Sequence, residues 1–165
     1  MAVLQVKIFP DGVLRKKSVA VTKITDEERK LIKDMIDTMY VADGVGLAAP
    51  QVGVSKRIFV ANATGEKGKE LVFINPRILE KSPSREVLAE GCLSLPGISA
   101  EVKRSKKVVL RFEDLEGKEK IINANGLLAR IIQHEVDHLD GILFIDRISV
   151  IKRFRLLRKL KEKAS

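Results

Sequence analysis

The chain has only two histidines, and they stand four residues apart in His134-Glu135-Val136-Asp137-His138. On a helix, residues i and i+4 share a face, so both imidazoles can reach one metal ion. Glu135 lies about 100° further round the helix, placed to touch a water beside that ion rather than the ion itself. Two histidines are an incomplete set, because catalytic metal sites usually have three protein ligands and one open position. The acidic residues after His138 are Asp140, Asp146 and Glu162, and none falls in a recognisable third-ligand motif. The other strong donor is the single cysteine, Cys92, in Glu90-Gly91-Cys92-Leu93-Ser94, where Gly91 permits close backbone approach. A Cys-His-His set suits Zn²⁺, Fe²⁺ or Ni²⁺. The competing readings are an inert buried thiol for Cys92 and chance spacing for the histidines. A third segment, Gly44-Val45-Gly46-Leu47-Ala48-Ala49-Pro50-Gln51, lacks the GK[ST] ending of a phosphate loop. It is either a tight connection or a stretch of exposed backbone groups for an extended ligand, with the Gln51 amide as a donor to a tetrahedral oxyanion.

These residues are far apart in sequence, so a fold must gather them. Residues 3–9 read as a short strand stopped by Pro10-Asp11-Gly12. Thr25 and Glu28 have capping-box spacing, and Leu31, Ile32, Met35, Ile36 and Met39 follow at helical period, ending near Asp43-Gly44. Residues 44–53 are too rich in Gly and small side chains for a regular element. Residues 57–61 and 70–75 read as paired strands, 85–89 as another, and 107–113 with 118–123 as a second hairpin around Glu116-Gly117. Asn125-Gly126 then precedes the helix that carries both histidines, with a C-cap at Asp140-Gly141. The order of elements gives an α+β fold with mainly antiparallel pairing.

Together GVGLAAPQ, EGCLS and QHEVDHLDG, in this order and spacing, resemble the three signature motifs of the peptide deformylase family, over about Pro10 to Ile148. The resemblance implies antiparallel sheets around a central helix carrying HExxH, and removal of the N-formyl group from the initiator methionine of new polypeptides, with release of formate. It implies Cys92, His134 and His138 as metal ligands and Glu135 as general base towards the attacking water and proton donor to the leaving amine. Gln51 and the Leu93 backbone N–H would stabilise the oxyanion, and Gly46 would offer backbone hydrogen bonds to the peptide. Leu127 and Ile131 share the helix face of His134 and His138, and with Val45 and Leu93 they would form an apolar pocket for the methionine side chain. Asp137 points away from the metal and needs a partner. The resemblance supplies Arg104. The implied cofactor is one divalent ion, Fe²⁺ in the native enzyme, with Zn²⁺, Ni²⁺ or Co²⁺ tolerated.

The 165 residues suit a single catalytic domain, 1–165, with residues 147–165 as a basic C-terminal helix. The net charge is +9, of which +7 falls within residues 147–165 and +2 within the remainder. On a helical wheel Val150, Ile151, Phe154, Leu157 and Leu160 form one face, opposite Lys152, Arg155, Lys159 and Lys163. The helix reads either as a docked helix with a solvated charged back or as an electrostatic contact with RNA or an anionic surface, and for a deformylase the ribosome is the natural polyanion. No window is apolar enough to cross a membrane, no secretory signal core is present, and one cysteine fits a reducing compartment, here the bacterial cytoplasm. N-formyl-methionyl nascent peptides are the expected partners, and no membrane or direct DNA contact is expected. The rival readings are a zinc endopeptidase and a non-catalytic basic RNA-binding module.

Overall fold

Thr25 caps the first long helix as its spacing with Glu28 requires. Its hydroxyl accepts from Glu27 N at 3.3 Å, and the Glu28 carboxylate accepts from Thr25 N at 2.9 Å. In this computed structural model, which describes residues 2–165, that helix is α1, Asp26–Val41. A five-stranded antiparallel sheet follows, made of β1 (Gly46–Ala48), β2 (Ile58–Ala61), β3 (Leu71–Lys81), β6 (Lys107–Glu113) and β7 (Glu119–Asn125) in the order β1-β2-β3-β6-β7. Between β3 and β6 the chain forms a separate hairpin of β4 (Arg85–Cys92) and β5 (Leu95–Ser105). Helix α2 (Gly126–Leu139) carries the HExxH segment, and α3 (Val150–Ala164) ends the chain.

The alternation of side chains along β2 decides how the layers stack. Ile58 and Val60 face one side and join Met35 and Met39 of α1, while Phe59 and Ala61 face the other and pack with Ala129, Ile132 and Val136 of α2. The sheet is therefore covered by a helix on each face. The far side of α2 meets the β4–β5 hairpin, so the HExxH helix lies between two antiparallel sheets. A third cluster joins Leu95, Ile98 and Val102 of β5 to Phe144, Ile145 and, on α3, Leu160.

Several local expectations are corrected. Residues 3–9 form no strand; the segment is held by single hydrogen bonds from Lys7 N to Gln51 O (2.7 Å) and from Phe9 N to Ser94 O (2.8 Å), which join loops rather than a ladder. Residues 44–53 are not irregular: β1 pairs Leu47 with Val60, and a 3₁₀ turn covers Ala49–Val52. Small residues here serve a strand that is buried throughout. Strand β3 runs past Pro76, which sits in a register break between Ile74 and Arg77 where no ladder bond is asked of it. Strand β5 was not foreseen, because Pro96 and Gly97 at its start read as breakers. The face of α3 also differs. Leu160 is buried and Leu156 and Leu157 half-buried, whereas Val150, Ile151 and Phe154 are 82%, 66% and 68% exposed. The helix meets β5 along a stripe rotated from the most apolar one, and its first turn extends beyond the support.

Candidate active site

Helix α2 presents His134 and His138 one turn apart, with ring centroids separated by 4.9 Å. Cys92, the last residue of β4, reaches the same point. Its Sγ lies 3.3 Å from His138 Nε2, and the ligating atoms of Cys92, His134 and His138 all fall within 4.8 Å of one another. Among the described residues no other His, Cys, Asp or Glu group gathers in this way. A thiol and two imidazoles at this separation would hold a single transition-metal ion beside the adjoining cavity.

Glu90 fixes this arrangement. It accepts from His134 Nδ1 at 3.0 Å, which leaves Nε2 for a ligand role. It also accepts from Arg104 Nε and Nη2 at 2.9 and 3.0 Å and from Arg130 Nη1 at 2.7 Å. Burial works to raise its pKa, but the hydrogen bonds from His134 and Arg104 prevail and hold it at about 2. Arg104 continues to Asp137 at 2.6 Å, and Asp137 accepts from Arg147 Nη2 at 2.7 Å. Asp137 thus faces away from the ligand cluster. Glu90, Arg130 and Arg147 were missed from sequence. Glu90 lies inside the EGCLS motif, so its position was a signal; nothing in the spacing of Arg130 or Arg147 announces a role.

The cavity beside the ligands measures about 550 Å³ and is lined by Val45, Gly46, Gln51, Leu93, Leu127 and Ile131 together with His134 and Glu135. Ile131 is buried, whereas Leu127 and Val45 are about half exposed at the rim. Gln51 is buried in the wall. Its Oε1 accepts from Ala48 N at 2.9 Å, which turns Nε2 towards Cys92 Sγ (3.5 Å) and Ser94 Oγ (3.3 Å). Leu93 lies in the turn between β4 and β5, next to Cys92. Glu135 is buried, and its Oε2 has no hydrogen-bond partner among the described residues. Burial pushes this carboxyl up to about 7, in the range for proton transfer near neutrality. Burial also lowers His138, favouring the neutral imidazole that a metal requires. A Cβ at position 46 would lie 2.6 Å from Glu135 Oε1 and 2.9 Å from Ile131 Cγ2, so any side chain there would have to displace the carboxylate and the isoleucine.

The family model for polypeptide deformylase matches residues 3–154. The chain belongs to the polypeptide deformylase family. The peptide deformylase of Thermodesulfovibrio yellowstonii is 49% identical over 99% of each chain, and that of Rhizobium meliloti 47% identical over 99% of this chain and 95% of its own. The crystal structure of a peptide deformylase from Legionella pneumophila superposes with a TM-score of 0.94 at 42% identity, covering 99% of this chain and 96% of that one. That of the Ehrlichia chaffeensis enzyme in complex with actinonin gives 0.91 at 41% identity, covering 99% and 98%. This deformylase is accordingly a metal-dependent hydrolase that removes the N-formyl group from nascent polypeptides. No helix is long and apolar enough to cross a membrane.

Proposed function

We propose that this deformylase acts on the formylated initiator methionine with Cys92, His134 and His138 holding Fe²⁺ and Glu135 moving the proton. The observation that carries this reading is the convergence of that ligand triangle, the unpartnered Glu135 oxygen and the Gln51 amide on one cavity. A divalent ion held by these three residues would supply Lewis acidity towards the formyl carbonyl and ease ionisation of water. Glu135 takes a proton from the attacking water and returns it to the amine nitrogen as the C–N bond breaks, giving formate and a free amine. Gln51 Nε2 and the Leu93 N–H donate to the oxygen on which charge develops. Ile131, Leu127, Val45 and Leu93 provide the apolar surface for the methionine side chain, and Gly46 offers backbone groups to the peptide. Arg104 and Asp137 hold the helix and Glu90 in register. Zn²⁺, Ni²⁺ and Co²⁺ share the donor preference and are expected to substitute.

The test is anaerobic purification with metal analysis, joined to a formate-release assay on formyl-Met-Ala-Ser. Stoichiometric iron and formate release are expected; absence of formate with every divalent metal would overturn the proposal. Cleavage of internal peptide bonds instead would favour the endopeptidase.

The bacterial cytoplasm, and within it the ribosome, is the proposed place of work. Supporting this are the +7 charge of residues 147–165 and the exposure of Val150, Ile151 and Phe154 beside those cations. Because the opposite side of α3 supports β5, the exposed cations are reversed in the test and the helix is not deleted. Lys152→Glu with Arg155→Glu and Lys159→Glu should abolish ribosome co-sedimentation, and binding of the parent should weaken steeply with salt. Unchanged co-sedimentation would refute it.

A further inference from the structure

The wall of the catalytic cavity formed by Leu95, Pro96, Gly97 and Ile98 is thin, and α3 lies behind it. Leu160 of α3 is buried in the cluster that holds Leu95 and Ile98, and Cys92, a proposed ligand, packs on the edge of that cluster. One turn further on, Lys163 crosses the outer side of Gly97. Its Nζ donates to Gly97 O at 2.7 Å. A Cβ on Gly97 would lie 2.8 Å from that nitrogen and 3.3 Å from Lys163 Cδ, so the aliphatic stem covers the glycine closely. Gly97 stands at φ +75°, and a glycine, with no side chain to restrict its backbone, has many competing conformations open to it. Its neighbour Pro96 has no N–H to donate. The lysine therefore adds a polar tie to the part of the wall between the paired positions Cys92↔Leu95 and Gly91↔Ser99, where the β4–β5 register shifts.

We propose that Lys163 is a positioning residue for peptide binding: from the last turn of α3 it holds the Leu95–Ile98 wall in the shape that receives the substrate. It touches neither the ligand triangle nor Glu135, so its influence falls on substrate affinity and not on the chemical step. The C-terminal helix is then part of the substrate site as well as a carrier of charge.

The test is steady-state kinetics of the full-length, metal-loaded enzyme on formyl-Met-Ala-Ser. Lys163→Met keeps the stem and removes the donor; KM should rise about three- to tenfold with kcat within about twofold and metal content unchanged. Lys163→Arg, which can still donate to the carbonyl, should restore KM to near the parent value. Lys161→Met, an exposed cation two residues earlier, should leave both constants unchanged and so excludes a general effect of lost charge. Overturning results would be an unchanged KM in Lys163→Met, a loss confined to kcat or to melting temperature, or a failure of arginine to restore KM.

Discussion

Replacing Glu90 by glutamine would test the buried ion network behind the ligands at its centre. The change is nearly isosteric but removes the charge that Arg104, Arg130 and His134 share, leaving Asp137 as one carboxylate against three guanidiniums. The Arg104 and Arg130 side chains are 5% and 9% exposed, so water cannot take over. Each carboxylate oxygen of Glu90 accepts two donors, and an NH₂ group in place of either would face two N–H groups at 2.7–3.0 Å. Breaking one side of a buried ion pair costs about 3–5 kcal/mol. That is a large part of the roughly 5–15 kcal/mol typical of a domain. Loss of the bond to His134 Nδ1 should also weaken metal binding about 10- to 100-fold. Urea unfolding with a chelator present isolates the first effect, and competition against a chromogenic chelator at low denaturant reads the second. A loss below about 1 kcal/mol together with unchanged metal affinity would refute the reasoning, since the network would then be a by-product of packing.

Three further outcomes are expected. Glu135→Gln should lower kcat for formate release by about 10²–10⁴ while the metal is retained, because the ligands are untouched; a change under tenfold would remove Glu135 from proton transfer. Gly46→Ala should depress activity and cost about 1–3 kcal/mol in thermal unfolding, because the new methyl meets a buried carboxylate and a buried isoleucine. Hydrogen bonds from Lys56 and then Thr25 hold Glu28 at about 2, against an ordinary 4.5. Its folded pKa is the lower one, so its stabilisation is complete above pH about 4.5 and is lost as pH falls towards 2. Glu28→Gln should therefore unfold more easily at pH 7, with the gap from the parent closing between about pH 5 and pH 2; a gap independent of pH would argue against the assignment.

Much of the fold was legible because it rests on local chemistry. The Thr25–Glu28 capping box, the apolar period of α1 and the alternation in β6 and β7 each depend on neighbours a few residues away. Strand β5 was not legible, since Pro96 and Gly97 argue against it locally and only pairing with β4, from Arg85↔Ser105 to Gly91↔Ser99, makes it a strand. The docked face of α3 misled for a related reason. A hydrophobic wheel ranks faces by composition, but the partner surface on β5 reaches only part of the helix, and that part selects Leu156, Leu157 and Leu160 over Val150, Ile151 and Phe154.

The sequence by itself determined the donor types, the i,i+4 spacing of the histidines and the glutamate between them, because helical geometry converts that spacing into a shared face. Only the tertiary structure decided that Cys92, some forty residues earlier, meets them, that Glu90 and not another carboxylate anchors His134, and that the last turn of α3 closes on Gly97. Those are contacts between elements whose distance in sequence carries no geometric information. They are set by how β4 and β5 pack against α2 and α3, and that packing follows from which apolar faces can be buried together.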